Sequence, residues 1–258
     1  MKNYELIDTH CHLYLEEFKN DLPAYMERAK AEGVSRIYMP SLDKNHFFSM
    51  TALEEKFAGI CFSMAGIHPC YVKENFREEL QFLQQQLTTR QFSAIGEIGL
   101  DYYWDRTHDD EQMTCFLEQI ALAKQYRLPI VIHSRNSMNE TIAVLRQQKD
   151  ELLRGIFHCF SGTFENAMDV IDCGLMLGIG GVVTYKNAGL AEVVARLPLE
   201  SIVLETDAPY LTPVPFRGKR NESSYLKYVV EKIADVKGVP VEEVARTTTA
   251  NARKIFGN

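Results

Sequence analysis

The sequence has no closely spaced pair of cysteines. Its six cysteines are spread along 258 residues, and no two of them form a Cys-x-x-Cys motif. This spacing argues against a zinc site made of thiolates and against a small scaffold held together by disulfide bonds. Dispersed cysteines without a disulfide or metal-binding motif are typical of a reducing compartment, so we expect a cytoplasmic protein.

The chain also lacks a long apolar run and an excess of positive charge. Its most apolar segment, residues 174–183, is half the length of a membrane span, and no basic segment followed by an apolar one opens the sequence. We therefore expect a soluble protein without a signal peptide.

The formal net charge is −7, so the surface as a whole does not attract nucleic acid. A polyanionic substrate would need a local basic patch or bound cations.

Eight short apolar runs recur along the chain, with helix-like segments between them. The runs begin at Tyr4, Val34, Ile60, Phe92, Pro129, Arg154, Leu175 and Ser201. They are too continuously apolar for strands that have one face in water. Eight alternations predict an α/β fold, a (β/α)₈ TIM-like barrel formed by residues 1–258 as a single domain, with extra C-terminal helices at 221–237 and 241–256. A doubly wound open sheet also fits the alternation.

The first run ends in the sequence LIDTHCHL, residues 6–13, which contains two histidines one residue apart. In a β-strand, side chains alternate between faces, so Asp8, His10 and His12 are expected to point the same way. His-x-His alone fits a metal site and an ordinary pair of histidines equally well, and the rest of the chain must decide between them.

Ionisable side chains also occur near the ends of four other runs. The full set is His10, His12, Glu97, His133, His158 and Asp207. Barrel enzymes collect catalytic groups at the C-terminal ends of their strands. Four imidazoles and two carboxylates are too many for one catalytic zinc with an open position, so we predict two divalent ions bridged by Glu97. His10, His12 and Asp207 would hold one ion, and His133 and His158 the other. These donors fit Zn, Mn, Ni or Fe and fit Mg less well.

Seven motifs give the sequence a specific resemblance. The segments DTHCHL, GIHP, AIGEIGLDYY, VIHSR, FHCFSG, ETDAPYL and NARKIFG, in this order, resemble the TatD-type metal-dependent deoxyribonucleases, a branch of the amidohydrolase-like barrels. The resemblance implies a barrel, divalent metals, hydrolysis of phosphodiester bonds in DNA, and the same six residues as ligands. One departure is Ser223, where the family often has proline. Asp8 and Glu205 are expected to contact ligand side chains rather than a metal, and so to orient those ligands.

The predicted reaction is the attack of metal-activated water on DNA, with Glu97 and Asp207 as the catalytic carboxylates. We expect the enzyme to act as an exonuclease on single strands or on strand ends. We expect it neither to associate with a membrane nor to need an obligate protein partner. The predicted phosphate contacts are His68, Arg135, Arg217, Lys219 and Arg220. Residues 102–104, two tyrosines and a tryptophan, would either stack on bases or simply pack.

The alternative is an amidohydrolase-type enzyme that acts on a small-molecule amide, lactone or phosphoester. Many two-metal members of that group bridge their ions with a modified lysine from strand four. Here strand four offers Glu97 and no lysine, which favours the nuclease. A barrel that uses its metals only structurally would be expected to have a closed, thiolate-rich site. This sequence does not predict such a site.

Overall fold

A computed structural model describes residues 4–257. In these residues the chain forms eight β-strands and nine α-helices, most of which alternate. The strands are β1 (Leu6–Asp8), β2 (Val34–Met39), β3 (Cys61–Ser63), β4 (Ile95–Asp101), β5 (Ile130–Arg135), β6 (Gly155–Phe157), β7 (Leu175–Ile179) and β8 (Ile202–Leu204). The helices are α1 (Leu22–Ala31), α2 (Lys44–Lys56), α3 (Phe76–Thr89), α4 (Asp109–Tyr126), α5 (Met138–Gln148), α6 (Phe164–Asp172), α7 (Leu190–Arg196), α8 (Leu226–Lys237) and α9 (Val241–Phe256).

All strand pairings are parallel, and they form two sheets, β1–β3 and β4–β8. Backbone hydrogen bonds join the two sheets at both seams. At one seam the Gly96 amide donates to the carbonyl of Ala65 (2.9 Å), and at the other the Thr9 amide donates to the carbonyl of Leu204 (3.0 Å). The strands therefore close on themselves, and the predicted (β/α)₈ TIM-like barrel is confirmed.

The barrel interior is filled at the end where the strands begin. Each strand, or a residue next to it, contributes one apolar side chain to this layer, which we call the floor: Ile7, Tyr38, Met64, Ala94, Val131, Ile156, Met176 and Val203. Helix α9 covers the floor, and the ring of Phe256 stacks on Tyr38 with 3.8 Å between centroids. The last predicted helix thus closes one end of the barrel and leaves the other end for polar groups.

Two helix boundaries differ from the prediction. The first helix-like segment of the sequence covers roughly residues 18–32, but α1 begins at Leu22, because residues 16–18 form a 3₁₀ turn and Pro23 suits the first turn of a helix. The helix expected over 221–237 begins at Leu226, after a 3₁₀ turn at residues 223–225. No helix within residues 4–257 is long and apolar enough to cross a lipid bilayer.

Candidate metal centre

The segment after β1 brings two imidazoles to the same point. Strand β1 ends at Asp8, and the Nε2 atoms of His10 and His12 lie 3.3 Å apart beyond it. His10 and His12 thus point the same way, as expected, but they lie beyond the end of β1, and Asp8 does not point into the cluster with them. The buried Asp8 carboxylate instead accepts hydrogen bonds from the hydroxyls of Thr206 (2.7 Å) and Ser223 (2.5 Å), which fixes the backbone that carries the histidines.

Glu97 lies at the centre of the cluster and is 2% exposed. It is the third residue of β4 rather than near the strand end, as the sequence suggested, because β4 continues to Asp101. Its Oε2 lies 3.1 Å from Nε2 of His10, and its Oε1 lies 3.0 Å from Nδ1 of His133. Burial opposes ionisation, but the surrounding imidazoles outweigh it and hold the pKa of Glu97 well below its usual range. The two oxygens of one ionised carboxylate thus face two different groups of nitrogen atoms.

Asp207 faces the same group of nitrogens as Glu97 Oε2. Its Oδ1 lies 3.4 Å from Nε2 of His12 and 3.8 Å from Nε2 of both His10 and His158. Burial raises the pKa of Asp207, but the hydrogen bond with His12 and the neighbouring His158 outweigh it, so the net shift is downward. Asp207 is ionised at neutral pH and, at 15% exposure, is the most accessible carboxylate of the cluster.

His158 follows β6 directly and is held from behind by Glu205. The Nδ1 of His158 lies 3.0 Å from Oε2 of Glu205, so that Nε2 points toward Glu97 Oε1 (3.8 Å). Burial disfavours the imidazolium, but Glu205 and Glu97 outweigh it and raise the pKa of His158 to about 10. Gly178 on β7 leaves the room for this carboxylate, since a Cβ there would lie 2.1 Å from Glu205 Oε2. The expected supporting role of Glu205 is consistent with these contacts.

Tyr14 supports His12 in a similar way, and sequence reasoning missed it. The Tyr14 hydroxyl donates to the carbonyl of Pro40 (2.6 Å), so it accepts from Nδ1–H of His12 (3.0 Å). This leaves the lone pair of His12 on Nε2, directed into the cluster.

Asp101 is the second residue that the sequence analysis missed. Its Oδ2 lies 2.8 Å from Nε2 of His133, whose Nδ1 faces Glu97. Burial lowers the pKa of His133, but Asp101 and Glu97 outweigh it and raise it overall. The signal in the sequence is the spacing of four between Glu97 and Asp101, which puts both side chains on the same face of the observed strand β4.

His68, predicted to contact phosphate, lies beside Glu97 with 3.5 Å between its Nε2 and Glu97 Oε1. Burial lowers the pKa of His68 to about 3, so the ring is neutral. Its Nδ1 accepts the amide hydrogen of Cys70 (3.1 Å), which leaves the proton on Nε2. His68 therefore presents a donor to the cluster and has no free lone pair there for a metal.

The spacing of the donor atoms fits divalent ions. Atoms that bind one ion at about 2.1 Å lie about 3.0–3.4 Å apart in octahedral or tetrahedral arrangements. The contacts among His10, His12, Glu97 Oε2 and Asp207 include separations of 3.1, 3.3 and 3.4 Å. On the other side of Glu97, His133 Nδ1 lies at 3.0 Å and His158 Nε2 at 3.8 Å from Oε1. His158 also faces Asp207. Its position therefore does not assign it to the same ion as His133 as clearly as the sequence prediction did.

Two of the predicted phosphate contacts are exposed cations stacked on aromatic rings. We use "rim" for the end of the barrel where the strands end. The Arg135 guanidinium lies 3.8 Å from the ring centroid of Tyr103, and the Arg217 guanidinium lies 4.2 Å from that of Tyr185. Both stacks leave guanidinium N–H groups at the protein surface.

The other two predicted contacts differ from each other. Lys219 is exposed, with its Nζ 5.5 Å from the ring of Phe216. Arg220 instead donates two hydrogen bonds to Asp21, each of 2.7 Å, and a third to the carbonyl of Glu17. These bonds occupy the guanidinium of Arg220, so it anchors the loop after β8 to the segment before α1.

A parallel barrel that gathers imidazoles and buried carboxylates where its strands end defines a class, the metal-dependent hydrolases built on this fold. The family model described as TatD related DNase matches residues 7–257 of this chain. The chain belongs to that family, and it is a metal-dependent hydrolase.

Three relatives illustrate the similarity. The chain is 42% identical to the uncharacterized metal-dependent hydrolase YabD of Bacillus subtilis, over 97% of this chain and 98% of the relative. It is 32% identical to a protein of Pantoea ananatis named 3′-5′ ssDNA/RNA exonuclease TatD, over 98% and 99% of the two chains. Among solved structures, the TatD homologue YjjV of Escherichia coli superposes with a TM-score of 0.93 at 32% identity and 98% coverage of both chains.

Proposed function

We propose that this protein hydrolyses phosphodiester bonds in single-stranded DNA, releasing nucleotides from an end, with two divalent ions bridged by Glu97. The observation that carries the proposal is the position of Glu97, whose Oε2 faces His10 while its Oε1 faces His133. A single buried carboxylate between two groups of donors is the arrangement that a bridged pair of ions requires.

The ligands in this proposal are His10, His12, Glu97, His133, His158 and Asp207. When bound, divalent ions lower the pKa of water and neutralise the charge that develops on a phosphate. Asp207 is ionised and the most exposed carboxylate of the cluster, so it accepts the proton of the attacking water at its carboxylate. His68 carries a proton on Nε2 next to Glu97, and that N–H donates to a phosphate oxygen.

Positive charge at the rim supports a polyanionic substrate. Arg135, Arg217 and Lys219 are exposed there, and the planar guanidinium groups match phosphate oxygens. The name of the Pantoea ananatis relative, an exonuclease on ssDNA and RNA, supports the same choice of substrate. Arg220 is left out of the phosphate contacts, because Asp21 already binds it.

The test is nucleotide release from single-stranded DNA labelled at its 3′ end or at its 5′ end. Wild-type protein with Mg²⁺ or Mn²⁺ is compared with Glu97→Gln, which keeps the size of the side chain and removes its charge. We expect metal-dependent release by the wild type and a loss of at least about 100-fold in the variant, since the bridging charge is gone. Early release from one labelled end would give the polarity, and RNA of the same sequence would test the range of substrates.

Two outcomes contradict the proposal. Equal activity in the wild type and in Glu97→Gln would mean that Glu97 does not bridge catalytic ions. A folded, metal-loaded wild type that releases nothing would indicate a small phosphoester or amide as the substrate.

A further inference from the structure

Two large aromatic side chains at the rim are exposed where β4 ends. Tyr103 is 51% exposed and Trp104 is 68% exposed, and their rings meet edge to face with 4.8 Å between centroids. Tyr102, by contrast, is partly buried and packs against the core. Large rings normally contribute to packing, so leaving two of them in water at this position calls for a reason.

The exposed pair is connected to the metal centre through one carboxylate. Asp101 Oδ1 accepts the backbone N–H groups of Tyr103 (3.0 Å) and Trp104 (3.2 Å), while its Oδ2 contacts Nε2 of His133 (2.8 Å). The turn that presents the rings and the imidazole that faces Glu97 are thus positioned by the same side chain. A fixed position relative to the reacting atoms is what a substrate contact needs.

Arg135 stacks on the exposed pair of rings. Its guanidinium is 3.8 Å from the centroid of Tyr103 and 5.1 Å from that of Trp104. Arg135 is two residues after His133 in β5, and within residues 4–257 no carboxylate pairs with it. Its N–H groups are therefore available to an anion beside a flat apolar surface.

We infer that Tyr103, Trp104 and Arg135 form a platform for a nucleotide of single-stranded nucleic acid, with the base stacked on Trp104 and a phosphate on Arg135. The inference rests on the proposed function and names the contact that holds the strand next to the metal centre. Aromatic rings and arginines in combination bind single strands with little sequence preference, because every base has a flat face. A duplex end would fit less well, since its bases are already stacked on each other.

Trp104 is the only tryptophan of the chain, so its fluorescence reports on the platform alone. We would titrate the Mg²⁺-loaded wild type with a phosphorothioate oligothymidylate, which resists hydrolysis, and with an abasic strand of the same length and charge. Stacking predicts saturable quenching by the thymidylate and little quenching by the abasic strand. Equal quenching by both would overturn the inference, because phosphates alone would then explain the signal.

Binding of the same oligothymidylate, labelled with a dye and measured by anisotropy, distinguishes the contribution of the Trp104 ring from that of the positive charge. We expect Trp104→Ala to bind about 5- to 150-fold more weakly and Trp104→Phe to keep most of the affinity. Phe48→Ala is the matched control, since Phe48 is also an exposed ring (66%) but lies on α2. Wild-type affinity in Trp104→Ala would overturn the platform.

The platform can fail while the proposed function stands, and a failure of the function gives a different result. If the wild type releases nucleotides from DNA while Trp104→Ala binds as tightly as the wild type, only the platform is rejected. If the wild type neither binds the oligothymidylate nor releases nucleotides, both proposals are rejected.

Discussion

The two ends of the barrel are built from the same strands and have opposite chemistry. Strand β6 contributes Ile156 to the floor and leads two residues later to His158 in the metal centre, and β5 does the same with Val131 and His133. The floor is apolar and covered by α9, whereas the rim holds charged groups that contact one another. A shift of two residues along a strand therefore separates a packing role from a chemical one.

The charged end also depends on supporting contacts in a way that the floor does not. Burial of Glu97 and Asp207 is tolerated because imidazoles surround them, and those imidazoles are in turn oriented by Glu205, Tyr14 and Asp101. The floor needs only side chains of the right volume. Substitutions at the two ends should therefore separate activity from stability.

The largest effects are expected from a pair of substitutions in β6. His158→Ala removes a candidate ligand and should lower nucleotide release by at least about 100-fold, since loss of a mere supporting contact already costs about 10- to 100-fold. Ile156→Ala leaves a cavity in the floor and should lower the free energy of unfolding by about 2–5 kcal/mol with kcat unchanged. Release assays and urea denaturation of both variants measure the two quantities. Similar losses of stability and of kcat in both variants would remove the distinction between the ends.

Glu205→Gln tests the contact behind His158. The amide no longer holds the Nδ1 proton of His158 with a full charge, so we expect metal affinity to fall about 10- to 100-fold while the fold is retained. Isothermal titration with Mn²⁺ measures the change. Glu200→Gln, at an exposed acid just before β8, is the control and should bind as the wild type does. Unchanged affinity in Glu205→Gln would mean that His158 is not a ligand.

Metal affinity should rise with pH. Glu205 and Glu97 outweigh burial and raise the pKa of His158 to about 10, so this imidazole holds a proton at neutral pH in the metal-free protein. Asp101 and Glu97 raise the pKa of His133 as well, which favours its protonated form. A binding ion must displace these protons, so affinity increases by up to about tenfold per pH unit for each proton displaced. Titrations at pH 6, 7 and 8 in buffers of different ionisation enthalpy count the protons. Affinity independent of pH would contradict the assignment of both histidines.

The smallest effect is expected at Ser223, which lies behind the ligands. Its hydroxyl donates to the buried Asp8 carboxylate, so Ser223→Ala should lower the free energy of unfolding by about 1–3 kcal/mol. Activity should change little, because Thr206 still holds Asp8. Ser49→Ala, at an exposed serine of α2, should stay within about 0.5 kcal/mol of the wild type. A loss of activity larger than the loss of stability would place Ser223 in the function of the site.

The barrel and the six candidate ligands could be predicted from the sequence because both depend on local patterns. Continuous apolar runs mark strands that are buried on both faces, and ionisable residues near their ends stand out against that background. Asp101 and Tyr14 did not stand out, because their roles depend on which ring nitrogen each contacts across the fold. The pairing of Arg220 with Asp21 joins residues far apart in the sequence, and no local pattern shows it.

The number of ions and the coupling between them test the central claim most directly. Metal content per chain is measured after equilibration with Mn²⁺, and electron paramagnetic resonance detects whether the ions interact, in the wild type and in Glu97→Gln. Bridging by Glu97 predicts two interacting Mn²⁺ ions per wild-type chain and at most one, without interaction, in the variant. A single isolated Mn²⁺ ion in both proteins would contradict it.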